Sequence, residues 1–427
     1  MFKKILITYL LLGLISGSVV SGWTEQDPGG IYQHLNSVST VNQNTGWACG
    51  NFGVVLRTTN GGVNWINVGF NPPVDSLSLF IVNAFNENTA IVVCNYVPGM
   101  RVSLYRTTNA GQNWIMVFRL DDGYIDGLGF KDSSNGFMVG DPRNGRWSLW
   151  KSTNSGLNWD STGLFLQDGG NETGYDQSME VEENKIYFGT ANYKIYYSTD
   201  FGINWHSSIV NLHGIFTISV SDLYGIAAGP FSGLRTTNGG INWFDKFLPG
   251  QDIGIFSSSH VDCYFWYTVE GGIFYSPDTG NNFSLQYNGP DPYIQIHLKK
   301  DINVISGWAV TEHAHISRYI EPIGIKPISS ELPKKFELFQ NYPNPFNPST
   351  LINYQIPVSI NVKLVIYDVL GREVATLVNE KQQPGKYQVT FDASNYASGV
   401  YFYKLVVSGA EPQSQSYTQI RKMVIIK

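Results

Sequence analysis

Charge is scarce in this chain. Only 15% of its 427 residues are Asp, Glu, Lys or Arg, while 14% are aromatic and 44 are glycine. A disordered chain is charge-rich and aromatic-poor, so bulk disorder is excluded. Cysteine is nearly absent. Cys49, Cys94 and Cys263 form an odd, widely spaced set, which is neither a disulfide framework nor a zinc pattern. Beyond the N-terminus no apolar run reaches the ~20 residues of a helical bilayer span. Positive charge is short in the body: residues 23–333 carry 16 basic and 28 acidic groups, whereas 334–427 carry 10 and 6. Such an acidic body repels phosphate backbones, so nucleic acid is not an expected partner. What is abundant, glycine and aromatic residues, favours strands joined by tight turns.

The first residues read as an address. Lys3 and Lys4 precede an apolar run over 5–15, and the small residues Ser16, Gly17, Ser18, Ser21 and Gly22 follow. This is the order of a secretory signal peptide. We expect residues 1–22 to be removed, with no transmembrane segment remaining.

Internal repeats organise the next 300 residues. Six segments share the pattern Ser/Thr-x-Asp/Asn-x-Gly-x-x-Trp/Phe: TTNGGVNW (58–65), TTNAGQNW (107–114), STNSGLNW (152–159), STDFGINW (198–205), TTNGGINW (236–243) and SPDTGNNF (276–283). Their spacing averages about 44 residues, the length of a four-stranded propeller blade. Asn60, Asn109, Asn154, Asp200, Asn238 and Asp278 suit side-chain bonds back to the turn's own backbone. The glycine two residues on suits a left-handed position. Residues 23–325 have room for seven blades, although only six turns occur. GWAV (307–310) matches GWAC (46–49) and marks a seventh blade. Its outer strand is expected from Gly22-Trp23-Thr24, at the mature N-terminus.

These turns resemble the Asp-box, or BNR, repeat of sialidases, xyloglucanase-type glycoside hydrolases, sortilin-type receptors and the photosystem II stability/assembly-factor family. GLGFKDSSNGFMVGD (127–141) is most similar to the last of these. The resemblance implies a seven-bladed β-propeller but no single activity, since enzymes and binders share the turn. Sialidases of this kind carry an Arg-Ile-Pro segment and an arginine triad. No Arg-Ile-Pro occurs here, and Arg57, Arg106 and Arg235 directly precede the repeat turns.

A composition shift follows Glu321, and 326–335 reads as a linker. Residues 336–427 then alternate as short strands of a small Ig-like β-sandwich. YPNPFNPST, IYDVLGREV, FDASNYASGVYFYKL and the terminal RKMVIIK closely resemble the type A C-terminal sorting domain of the type IX secretion system. The resemblance implies that secretion machinery as a partner, a Gram-negative host, and a secreted or cell-surface location. The expected whole is all-β.

Function in a propeller concentrates on the face opposite the repeat turns, where loops are free to vary. On that face fall Arg101; Arg119, Asp121, Asp122 and Tyr124; Asp141, Arg143 and Arg146; and the long stretch 167–184 with Asp168, Glu172, Tyr175, Asp176 and Glu180. Arginine can grip a carboxylate, and a loop tyrosine can stack on a sugar. The reading is an exported module that binds an extracellular glycan or protein. The alternative is an extracellular glycoside hydrolase, for which paired carboxylates would serve as acid and base. No catalytic set and no cofactor are assigned. His313 and His315 would share a face if extended, yet two ligands do not make a metal site, and none is assigned.

Overall fold

The computed structural model describes residues 22–426, apart from 70–77, 97–100, 212–213, 253, 302–303, 323–325, 330–332, 334, 383 and 409–415. The expected signal peptide over 1–22, except for Gly22, lies outside the described residues. The chain divides into two compact units, with the division at Glu321 and Pro322.

The described residues of the first unit form seven antiparallel sheets. Their innermost strands are Leu35–Thr40, Ser78–Ala84, Gly127–Phe130, Gly174–Glu182, Thr217–Ser221, Ser257–Val261 and Tyr293–Asp301. Each packs against the next and the last against the first, the circular arrangement of a β-propeller. Apolar residues of adjacent sheets interlock between blades. Trp47, Cys49 and Val55 of the first sheet, for example, meet Leu79, Val92 and Cys94 of the second. Both cysteines are buried there, and burial pushes their thiols above the usual range. Closure uses Gly22–Gln26 as the outer strand of the last sheet. It pairs antiparallel with Ile316–Pro322, Trp23 lying opposite Tyr319.

The six repeat turns share one hydrogen-bond pattern. In the first, the Thr58 hydroxyl donates to Asn60 Oδ1 (3.0 Å) and accepts from Gly62 N–H (2.9 Å). Asn60 Oδ1 also accepts from Asn64 N–H at 3.0 Å. The same partners recur at Asn109, Asn154, Asp200, Asn238 and Asp278. Asp200, ionised and holding several N–H groups, is drawn down to about 2 despite the opposing effect of burial. Gly62 has φ +78°, a conformation that strains any residue with a Cβ. The arginines before the turns tie adjacent blades: Arg106 Nε donates to Ser155 O at 3.0 Å and Arg235 Nε to Thr279 O at 3.1 Å.

The closing aromatics differ in burial. Trp65 is 5% exposed and sits edge-on to Trp308, whereas Trp159 is half-buried against Phe130. Trp65→Ala is therefore expected to cost about 3–5 kcal/mol, as for a large core deletion, and Trp159→Ala clearly less, about 2 kcal/mol. Urea unfolding of the two variants measures the order. Equal losses would show that these rings do not stabilise through burial.

The third sheet departs from the pattern. It has only three strands, Gly127–Phe130, Gly136–Arg143 and Arg146–Ser152. After a bridge between Lys151 and Asp160, the Asp160 carboxylate caps Thr162 N–H and turns the chain away, and it returns to the sheet at a second bridge, between Arg146 and Gln167. Leu164 and Leu166 then cover Trp147 and Leu149 where a fourth strand would lie. The expected ligand-facing loop over 167–184 is thus corrected: its second half, Gly174–Glu182, is an inner strand. Sequence alternation is hidden there by a register shift between Gly174 and Met179.

In the second unit, two four-stranded sheets enclose one apolar core. One sheet includes Lys326–Ser329, paired with Gly385–Asp392, so part of the expected linker over 326–335 is a strand. Pro327 obscured it, as proline is tolerated at a sheet edge. The last strand is Ser416–Ile425.

Candidate functional site

The inner strands surround a central channel of ≈ 930 Å³. On the face opposite the repeat turns, its wall carries a row of aromatic rings. Tyr175 meets Phe216 edge-on with centroids 4.6 Å apart, and Phe216 lies nearly parallel to Phe256 at 6.4 Å. Each ring precedes or opens an inner strand, so three successive blades contribute one ring each. Gly214, at φ +78°, leaves room beside Tyr175: a Cβ there would stand 3.1 Å from the phenol oxygen.

Beside this row the second, third and fourth blades bring acids together. Tyr124 Oη donates to Asp176 Oδ2 at 2.9 Å. Gly174 N–H donates to Asp141 Oδ1 at 2.9 Å. A Cβ on Gly174 would collide with the Asp126 carboxylate, at 2.4 Å from Oδ2, so only glycine permits this approach. Burial pushes all three carboxyls upward, Asp176 to about 6, and Asp141 and Asp176 raise Asp126 further. Burial and the adjacent Asp176 also raise the Tyr124 phenol.

Of the expected site residues, Tyr175, Asp176 and Asp141 meet at this mouth. The Arg143 guanidinium lies near Gly123 of the preceding blade, 3.8 Å from the position of a Cβ there. Arg119 pairs with Asp121 at 2.9 Å on the exposed connection, Asp122 follows it in a left-handed turn (φ +56°), and Arg146 is exposed in the hairpin after Asp141. Arg101 opens the strand Arg101–Thr107 opposite Tyr96. Glu172 does not face the channel. It is 5% exposed and accepts from Tyr196 Oη (2.8 Å), Trp147 Nε1 (3.2 Å) and Lys194 Nζ (2.7 Å). Burial raises its carboxyl, but these bonds win and hold it below the usual range. Its charge pins the segment that replaces the missing strand. Asp168, in the same segment, is half-buried, with its N–H bonded to Gly145 O.

At the opposite end, burial pushes Glu180 up to about 7, His260 opposing and Glu182 adding. Burial would lower His260, but Glu182, 3.8 Å from its Nε2, and Glu180 raise it overall. His297 accepts from Thr40 N–H through Nδ1 at 2.9 Å and is pushed down to about 4 by burial, Lys299 and His260. His313 and His315 do not share a face. They lie in a turn, His313 bonded to Asp291 at 2.8 Å and His315 directed to Glu25 at 3.8 Å. Among the described residues no three His, Cys, Asp or Glu side chains are grouped to hold a metal ion.

Sequence reading missed Phe216, Phe256, Asn95 and Asp126. Phe216, Phe256 and Asn95 lie in or beside strands within apolar or alternating runs, Asp126 lies in a turn-like stretch, and only the circular fold brings them to one face.

Comparisons with known proteins divide along the two units. Residues 340–425 match the family of secretion system C-terminal sorting domains. That match indicates export by type IX secretion, to the medium or the cell surface of a Gram-negative bacterium. No curated protein matches the chain. Among solved structures, YCF48 bound to D1 peptide superposes with a TM-score of 0.56 at 15% identity, covering 71% of this chain and 98% of that one. YCF48 from Cyanidioschyzon merolae gives 0.54 at 15%, covering 70% and 99%. An ancestral GH74 enzyme gives 0.55 at 14%, covering 93% and 63%. These likenesses show the propeller fold.

Proposed function

We propose that this protein is an exported binding module: a seven-bladed propeller that holds an uncharged extracellular glycan at the channel mouth, along the rings of blades four to six. The observation that carries this reading is the row Tyr175, Phe216 and Phe256. Aromatic faces stack on the apolar faces of sugar rings, and a rigid ring of blades spaces them at fixed intervals. The acids nearby disfavour an anionic ligand, and Arg119 is engaged by Asp121. A protein ligand would use the same face. Signal-peptide cleavage within 17–22 delivers the chain to the periplasm, and the C-terminal domain carries it onward.

A glycan array followed by calorimetry tests the reading. Tyr175→Ala and Phe216→Ala are each expected to weaken the hit glycan by up to about tenfold. Asn60→Ala and Asp278→Ala, on the opposite face, should leave affinity unchanged. Loss confined to the Asn60 and Asp278 variants would place the site on the wrong end of the channel.

One observation favours a second reading, an extracellular glycoside hydrolase. Asp176 is pushed up to about 6 in the channel wall with Asp141 nearby, as a proton-donating carboxyl requires. Reducing-sugar release by the native chain and none by Asp176→Asn would establish it.

A further inference from the structure

Several oxygens beside the aromatic row lack hydrogen-bond donors. Asp126 Oδ2, Asp176 Oδ1, Gln177 Oε1 and Asn95 Oδ1 are all buried oxygens without a hydrogen-bond donor among the described residues. Asp126 is 4% exposed and Asn95 2%. They belong to one locus. Asn95 Nδ2 donates to Ile125 O at 3.2 Å, which fixes its amide so that Oδ1 is the arm left over. Tyr124, one residue before Ile125, bonds Asp176. Gln177 N–H donates to Asp126 O at 2.6 Å. The Gln177 side chain, from a backbone at φ +64°, sends its Nε2 across the channel to Asn36 O (2.9 Å) and Phe80 O (3.0 Å). That leaves its carbonyl oxygen as the free end.

Four orphan acceptors in one place are costly, since each buried polar atom without a partner costs about 1–3 kcal/mol. Two of the four carry carboxylate charge, and Asp141 adds a third charge close by. The influences on Asp126 are burial and the neighbouring acids alone, with no cation among them. Water could satisfy the acceptors, but when Asp126 and Asp176 are ionised it leaves their charge uncompensated. The donors are all oxygen: two carboxylates and two amides, with the Tyr124 hydroxyl adjacent. That set suits a hard divalent cation that takes six to eight oxygen ligands in a flexible shell, and amide ligands explain why carboxylates and histidines alone do not form the group.

We infer that Asn95, Asp126, Asp176 and Gln177 bind a divalent cation of the calcium class at the junction of blades two, three and four. The ion neutralises Asp126 and Asp176 and clamps the irregular start of Gly174–Glu182, the strand that presents Tyr175. It stands apart from the glycan reading, and it opposes the hydrolase reading, because a metal-bound Asp176 stays ionised and cannot donate a proton.

The test uses the full mature chain stripped with EDTA. Calorimetric titration with CaCl₂ at neutral pH, and with MgCl₂ in parallel, should show one site per chain and a raised thermal midpoint with calcium. Asp126→Asn and Asp176→Asn are each expected to weaken calcium binding by about tenfold or more. Asp262→Asn, an exposed acid on the opposite side of the channel, should leave it unchanged. If Asp126→Asn fails to fold, Asp176→Asn and the wild-type titration still decide. No calcium heat and no midpoint shift in the stripped wild type would overturn the inference, and so would undiminished binding in Asp176→Asn.

Discussion

A chain that stops at Glu321 is expected to cross the inner membrane and then accumulate in the periplasm, its surface and medium fractions falling to background. The second unit is compact in its own right and its residues 340–425 match sorting domains, so export is lost while the propeller stays folded. The cut belongs at Glu321 rather than at residue 336. Lys326–Ser329 pairs with Gly385–Asp392, and a later cut would strand that segment as an unpaired edge. The sorting motif is built into the sandwich, which is why partial deletions should fail as completely. Asn341, 2% exposed, donates through Nδ2 to Pro343 O and Thr350 Oγ1, while Phe346 enters the core. The last strand is held to this segment by Arg421 Nε donating to Leu338 O at 2.8 Å. Fractionation and immunoblotting measure the outcome, with circular dichroism on the retained protein. Full surface recovery of the truncated chain would refute a sorting role.

Legibility in the sequence followed the range of the contacts. Each repeat turn is closed by partners within seven residues, Thr58 to Asn64 in the first, so its pattern is visible in a short window. The sandwich strands alternate and are punctuated by turn residues, and they too were legible. The channel mouth was only half legible. Tyr175, Asp176 and Asp141 stood out as polar residues in a charge-poor chain. Asn95 and Asp126 did not, because one ends the apolar run AIVVCN and the other precedes a glycine in a turn-like stretch. Their significance lies in meeting Asp176 from two other blades, a fact of topology. The stretch 167–184 was misread for a different reason. A register shift breaks its alternation, and Glu172 looks like any loop acid until Lys194 and Tyr196, more than 20 residues away, close around it.

Removal of the closing strand is expected to cost the propeller on the order of 5 kcal/mol. Gly22–Gln26 is only five residues long, but its side chains lock the ring. Trp23 is 9% exposed, stacks toward Tyr287 and Tyr319, and donates through Nε1 to Gln286 at 3.0 Å. Burying such a ring contributes about 2–3 kcal/mol. Gln26 joins the first and last blades: its Oε1 accepts from Trp65 Nε1 (3.2 Å) and Trp308 Nε1 (2.9 Å), and its Nε2 donates to Gly61 O (2.7 Å). Without it, two indole N–H groups remain in the interior with no acceptor, at about 1–3 kcal/mol each. The sum approaches the whole stability of an ordinary domain, about 5–15 kcal/mol. Urea unfolding of a chain starting at Asp27 against one starting at Gly22 gives the difference, and Gln26→Ala alone should give roughly half of it. A loss under about 1 kcal/mol for the shortened chain would show that the ring does not depend on this strand. The deletion also bares the edge of Ile316–Pro322, which can then pair with a second chain, so sedimentation should show association that rises with concentration. The two partners of this strand pair lie some 290 residues apart in sequence. Closure therefore waits for the last blade, and refolding of the intact ring should be slow compared with a protein of local contacts.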